Sequence, residues 1–189
     1  VGEAIMQHLF GSQEHARIPI VGVIGSQQTP QIAQLTAWLL HLSGRRTGLA
    51  SQHGLFMAQR QVESCDARGF DFAERLLINR SIVAAVFETS PRQILLEGLP
   101  YDRCHVGLVA DMPAFEGLQD LDVTSADNMR QVVRTQVDVV LREGVAVLAV
   151  GGQHRVISLQ GMHDAGRNRF FTDVQMEESP DLRRGVQFG

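Results

Sequence analysis

Residues 18–31 read Ile18-Pro19-Ile20-Val21-Gly22-Val23-Ile24-Gly25-Ser26-Gln27-Gln28-Thr29-Pro30-Gln31. The apolar run over 18–24, broken only by Pro19 and Gly22, predicts a strand buried on both faces. A turn over Gly25–Pro30 follows. Ile32, Leu35, Leu39 and Leu42 then recur at helical spacing, and Ser43-Gly44 makes a C-terminal stop. A strand ending in Gly, a turn and a helix form the setting in which backbone N–H groups close around phosphate.

The same alternation continues outward from that stretch. Strands are expected at Thr47–Ala50, Ser81–Glu88, Val106–Ala110 and Val145–Val150, with a last one at Arg169–Val174. Helices are expected at Phe72–Asn79, Pro91–Glu97 and Ser125–Arg142, and a short amphipathic one at Val1–Phe10 with Ile5, Met6 and Leu9 as its apolar members. Strands separated by helices imply right-handed crossovers, and so an α/β fold with a mostly parallel sheet flanked by helices. Ligands in such sheets sit at the carboxyl ends of the strands, here Gly25, Glu88, Asp111 and Gly151. One domain is expected over 1–189, with an entry helix and linker at 1–17, a core sheet at 18–150 and a C-terminal part at 151–189.

The chain has 189 residues, 44% hydrophobic and 20% charged, enough apolar content for a real core. Its net charge of −4 argues against a general nucleic-acid binder. No apolar run reaches the roughly 18 residues of a membrane span, so no membrane partner is expected. Cys65 and Cys104 form no C-x-x-C pair and read as reduced thiols in a cytoplasmic protein. All 17 basic residues are Arg, which removes any mechanism that needs a lysine ammonium. Val1 is not Met, and the expectation is a domain taken from a longer polypeptide.

In a phosphate-binding loop, glycines allow the backbone to wrap the phosphates, a Lys reaches the β and γ oxygens, and Ser/Thr holds Mg²⁺. Here only the first glycine, Gly25, remains. Gln28 stands at the second glycine position, Thr29 at the lysine position and Pro30 at the metal-binding hydroxyl position. Gln28 does not share the positive φ open to Gly. Thr29 carries no charge, and Pro30 deletes an N–H from the first turn while leaving the helix intact. Gly25, Ser26 and Thr29 are therefore the remnants of a degenerate phosphate loop, and neither ATP nor Mg²⁺ is expected as a cofactor.

Several longer blocks are more specific. VGEAIMQHLF at 1–10, RIPIVGVIG at 17–25, FETS at 87–90, ILLEGLPYDRCHVGLV at 94–109 and REGVAVLA at 142–149 together resemble the Mur-ligase-like central domain of the cyanophycin synthetase family. That resemblance implies a P-loop-NTPase-like fold and an ATP-dependent amide ligase that joins arginine to the aspartate side chains of poly-aspartate. It also implies partner domains within a parent synthetase, and a homo-oligomer. The motifs that would touch nucleotide depart from the family. G-T-N-G-K-T-T is replaced by Gly25–Gln31. E-T-A-R-G-G keeps Glu88 and Thr89 and departs at Ser90, Pro91, Arg92 and Gln93. T-N-I becomes Ala110-Asp111-Met112, and Phe115–Leu118 supplies no histidine for D-H-L-G. The expected lysine falls near Val133, and N-A-D-D-P becomes Ala149–Gln153.

Glu88 is the surviving metal candidate by that resemblance, since hard cations prefer carboxylate oxygens. The competing reading is a strand-end carboxylate bonded to nearby backbone. His53, Cys65, Cys104 and His105 would be a zinc set, but adjacent residues of a strand face opposite ways. Arg45, Arg46, Arg92 and Arg103 are candidates for an anion site or for simple surface solvation. Val132, Val133, Val137, Val140 and Leu141 make a helix stripe that packs on the sheet or serves self-association. Trp38 reads as core, Asp138 and Glu143 as solvated.

Three functions follow. The first is a catalytically silent domain kept for oligomerisation or for positioning substrate and partner domains, with no confident catalytic residue. The second is an active carboxylate–amine ligase with unusual residues. The third is a module that binds an anionic peptide through Arg92 and Arg103.

Overall fold

A computed structural model describes residues 17–150 and 153–158. The element order is β1 (Ile20–Ile24), α1 (Thr29–Leu42), β2 (Thr47–Ser51), β3 (Gly54–Met57), β4 (Arg60–Glu63), α2 (Phe70–Leu77), β5 (Ala84–Thr89), α3 (Pro91–Glu97), β6 (Cys104–Val109), α4 (Ala126–Asp138), β7 (Val140–Val150) and β8 (Gln153–Ser158). A 3₁₀ turn at Gln119–Leu121 precedes α4. The strands form one sheet in the order β4-β3-β2-β5-β1-β6-β7-β8. Strands β2, β5, β1, β6 and β7 run parallel, and the outer pairings β2–β3, β3–β4 and β7–β8 are antiparallel. The expected α/β fold with a mostly parallel sheet is present.

β1 lies between β5 and β6, with Val23 opposite Glu88 and Ile24 opposite both Thr89 and Val109. All five residues of β1 are buried, as the apolar run requires of a central parallel strand. The chain leaves β1 toward β2 and later returns beside β1 on both sides. The carboxyl end of β1 is thus the topological switch point, the place where sheets of this kind bind their ligands.

The two faces of the sheet are covered unequally. Phe87, Ile24, Leu76, Met129, Val133 and Val137 belong to the core shared by the sheet with α2, α3 and α4. On the opposite face α1 packs on Val21, Val23, Leu49 and Val86 through Ala33 and Ala37. Two alanines one turn apart let the helix backbone come close to the sheet. The leucine stripe read from the sequence therefore points the other way: Leu35, Leu39 and Leu42 are exposed, and Trp38 is 47% exposed rather than core. A hydrophobic period identifies a helix, but when both faces are apolar it does not say which one the sheet takes.

Other differences have local causes. The β3–β4 hairpin was not expected because its turn, Ala58-Gln59, lacks Gly and Asn yet takes positive φ at both residues, 48° and 71°. α4 stops at Asp138 instead of Arg142, since Val140 enters the sheet opposite Cys104. Its start is as expected, with Ser125 Oγ accepting from the Asn128 N–H at 3.2 Å, a cap that contributes about 1 kcal/mol. β8 was not foreseen. The helix expected at Val1–Phe10 and the strand expected at Arg169–Val174 lie outside the described residues.

Part of the GLPYDRCHVGLV block has a packing role. Tyr101 is buried, its ring centroid 5.5 Å from that of Phe87, and its hydroxyl donates to Gln136 Oε1 at 2.8 Å. Burial raises the Tyr101 phenol well above its ordinary range, so it remains a neutral donor.

Candidate functional site

The switch point is bordered by the residues that follow β1, β2, β5 and β6. Gly25 to Gln28 connect β1 to α1, whose first turn holds Pro30. Gln28 has φ −93° and ψ −2°, and its side chain makes no cap. Gln28 thus does not adopt the left-handed backbone open to Gly at that position. Ile32 N–H bonds Gln28 O at 3.1 Å, and α1 starts as an ordinary helix.

Both polar groups of Ser26 meet one carboxylate. The Ser26 N–H donates to Asp111 Oδ1 at 2.5 Å, and the Ser26 hydroxyl lies 2.8 Å from Asp111 Oδ2. Asp111 is delivered by β6, whose ladder with β1 continues one step further as Ala110 N–H bonds Ile24 O at 2.8 Å. Gly25 is required there: a Cβ on it would fall 2.7 Å from Asp111 Oδ1 and 2.6 Å from Thr29 Oγ1. Thr29 is buried and its hydroxyl oxygen has no hydrogen-bond partner.

On the β5 side, Glu88 is 2% exposed. Its Oε2 accepts from the Gln52 N–H at 3.0 Å, and its Oε1 faces the Arg68 guanidinium at 3.7 Å. Arg68 is itself gripped by Asp66, at 2.9 Å and 2.6 Å. Burial pushes the Glu88 carboxyl above its usual range, while the Gln52 amide and Arg68 pull it back. The bond to Arg68 holds Asp66 below its usual range.

These surroundings do not suit Mg²⁺. A divalent ion needs several free oxygens, whereas one Glu88 oxygen is taken by backbone and the other faces a permanent cation. Among the described residues no group of three or more His, Cys, Asp and Glu is arranged to hold a metal. The zinc set is scattered: Cys65 is exposed, Cys104 is buried, and His105 Nδ1 accepts from the Ile20 N–H at 3.3 Å.

The remaining candidates separate as well. Arg92 follows β5 and bonds Asp120 at 2.7 Å, at the carboxyl end of the parallel strands. Arg103 precedes β6 and donates to Asp138 O at 3.3 Å, while Arg45 and Arg46 precede β2, so these three lie at the amino end. A parallel strand of five or six residues, roughly 17–20 Å, separates the two ends. The four arginines do not make one anion site. Val132, Val133, Val137 and Val140 are buried, which removes them as a self-association face. Asp138 pairs with Arg134 at 3.2 Å on the surface, and Glu143 is exposed. Sequence reasoning missed Arg68 and Asp66, whose only signal was an Asp-x-Arg spacing without a known motif. Among the described residues no helix is long and apolar enough to cross a membrane.

No family model matches the chain. Cyanophycin synthetases are similar to it: that of Crocosphaera subtropica is 30% identical over 148 residues, 78% of this chain and 17% of that protein. That of Nostoc sp. is 28% identical over 191 residues, spanning this whole chain and 20% of the relative. That of Synechocystis sp. is 32% identical over 149 residues, 78% of this chain. The chain thus spans a fifth or less of the length of these relatives. Among solved structures, a UDP-N-acetylmuramoyl-L-alanyl-D-glutamate–2,6-diaminopimelate ligase matches with a TM-score of 0.50 at 13% identity, over 77% of this chain and 29% of the ligase. At that identity the likeness speaks for the fold alone.

Proposed function

We propose that this chain, which belongs with the Mur-ligase-like domains of the cyanophycin synthetase family, is a non-catalytic member that works as a scaffold, holding partner domains or substrate in a larger synthetase. The observation that carries this reading is the pairing of Ser26 with Asp111. The loop's first amide and hydroxyl are saturated by an internal carboxylate, where catalysis would need them on a phosphate. Phosphoryl transfer depends on neutralising and positioning phosphate charge. The chain has no lysine, and the cation beside Glu88 is already engaged by two carboxylates.

An oligomerisation role rests on a different surface from the α4 stripe. α1 carries no Asp, Glu, Lys or Arg and exposes Leu35, Trp38, Leu39 and Leu42 together. Charge depletion with an exposed Trp is the composition of an interface core. The expected setting is a cytoplasmic parent protein, with neither nucleic acid nor membrane as partner.

The alternative is an ATP-dependent ligase that joins arginine to poly-aspartate, as the names of the relatives invite. The third reading, an anionic-peptide module using Arg92 and Arg103, is disfavoured by their placement at opposite ends of the sheet. Calorimetric titration of the folded chain with ATP and Mg²⁺ tests the proposal. No binding up to millimolar ATP is the expected result, and micromolar binding would put the ligase first.

A further inference from the structure

The geometry points to Asp111 as a tethered anion that masks an oxyanion seat made by Ser26, Thr29 and the start of α1. The inference deepens the scaffold reading and rests on it in one respect, that the loop does not hold nucleotide in the unaltered chain. Four observations support it. Both polar groups of Ser26, the backbone N–H and the hydroxyl, meet the two oxygens of a single carboxylate at 2.5 and 2.8 Å. Paired contact of this kind is how a loop grips a phosphate or sulfate oxygen pair. The Thr29 hydroxyl is buried with no partner, and both it and Asp111 Oδ1 lie within 2.7 Å of the point where a Gly25 Cβ would be, so the orphan faces the same small space. α1 brings no acidic residue to its first turn, so nothing within the helix offsets the positive end of its dipole.

A tethered carboxylate competes with free anions at a high effective concentration, so an external oxyanion is excluded without the seat being destroyed. The seat is small. Pro30 removes one N–H and Gln28 is not curled, so it fits one tetrahedral group such as inorganic phosphate rather than a nucleoside triphosphate chain. The loop is then a closed device. Displacement of Asp111 by movement of the segment after β6 would open an anion site beside the exposed carboxyl edge of the sheet.

The test compares inorganic phosphate binding to the full chain and to Asp111→Ala and Asp111→Asn, with the fold of each checked by circular dichroism. The Ala variant is expected to bind phosphate at least about tenfold tighter than the unaltered chain, because both Ser26 donors are then free. Asn, which retains an acceptor but no charge, should gain less. Adding Ser26→Ala to Asp111→Ala removes the hydroxyl but keeps the amide, and should cut the gain without abolishing it. Equal binding by the unaltered chain and the folded variants overturns the inference. A readout on the unaltered chain decides independently of whether a variant folds: its Ser26 amide resonance should stay in place as phosphate is added, and a saturable shift would refute masking. ATP and Mg²⁺ run on the same unaltered chain separate this failure from that of the scaffold reading. Nucleotide binding there overturns the latter, whereas absence of any phosphate gain in the variants overturns only the mask.

Discussion

The Tyr101 hydroxyl bonds Gln136 Oε1 at 2.8 Å directly over Gly22, so near that a Cβ on Gly22 would lie 1.9 Å from the hydroxyl and 2.1 Å from Gln136 Nε2. A buried polar pair thus crosses the central strand at the one residue without a side chain. Gly22→Ala must push both groups aside in a packed core, and a loss of about 2–4 kcal/mol is expected by urea denaturation. Tyr101→Phe leaves the Gln136 amide oxygen unsatisfied and should cost about 1–3 kcal/mol.

Arg68 and Glu88 make stability depend on pH. The Glu88 carboxyl is raised by burial, so the unfolded chain ionises first as pH rises. Its contribution is therefore fully present below the ordinary glutamate range and lost as pH climbs toward the higher folded value. Glu88→Gln should be at least as stable as the parent at pH 7, with a flatter pH profile. Arg68→Met removes the cation and should cost about 2 kcal/mol at pH 7, less than for a fully buried pair because Arg68 is partly exposed. Asp66, lowered by Arg68, also contributes stability above its ordinary range and loses it as pH falls. Protonation of Glu88 shrinks the Arg68→Met penalty as pH falls toward 4, and protonation of Asp66 shrinks it further only below its ordinary range. A penalty independent of pH would contradict this account.

The Ala58-Gln59 turn holds two residues with side chains at φ 48° and 71°. Replacing them with Asn-Gly, which adopts such a turn readily, should raise stability by about 1–2 kcal/mol without altering the fold. Thermal unfolding measures it.

Trp38 is the sole tryptophan and stands half out of α1. It shares with Ala37, Leu49 and Phe56 a groove of about 360 Å³. Its fluorescence should be quenched by iodide unless α1 is covered by a partner. Leu39→Gln should change stability by no more than about 0.5 kcal/mol. A large loss would mean that Leu39 is packed.

Cys104 is buried, which pushes its thiol up to about 12, whereas Cys65 is exposed. A disulfide reagent should label one thiol in the native protein and both after denaturation. Rapid labelling of two native thiols would place Cys104 in a far more open environment.

Read by itself, the sequence determined what depends on neighbours along the chain. The strands β1, β5 and β6 appear as apolar runs, Ser125 marks a helix start, and the departures of Gly25–Gln31 from G-T-N-G-K-T-T are legible because that motif is contiguous. The tertiary structure alone decided what depends on distance across the chain. Asp111 reaches Ser26 over 85 residues because β6 pairs with β1, and no local pattern announces that contact. Arg68 meets Glu88 because β2 and β5 are neighbours and the segment after β4 folds back over their carboxyl ends. α1 was recognisable as a helix but not its orientation. Its residues are apolar almost all round, and the sheet took the face of Ala33 and Ala37, flanked by Ile32 and Leu40, because small residues permit close approach.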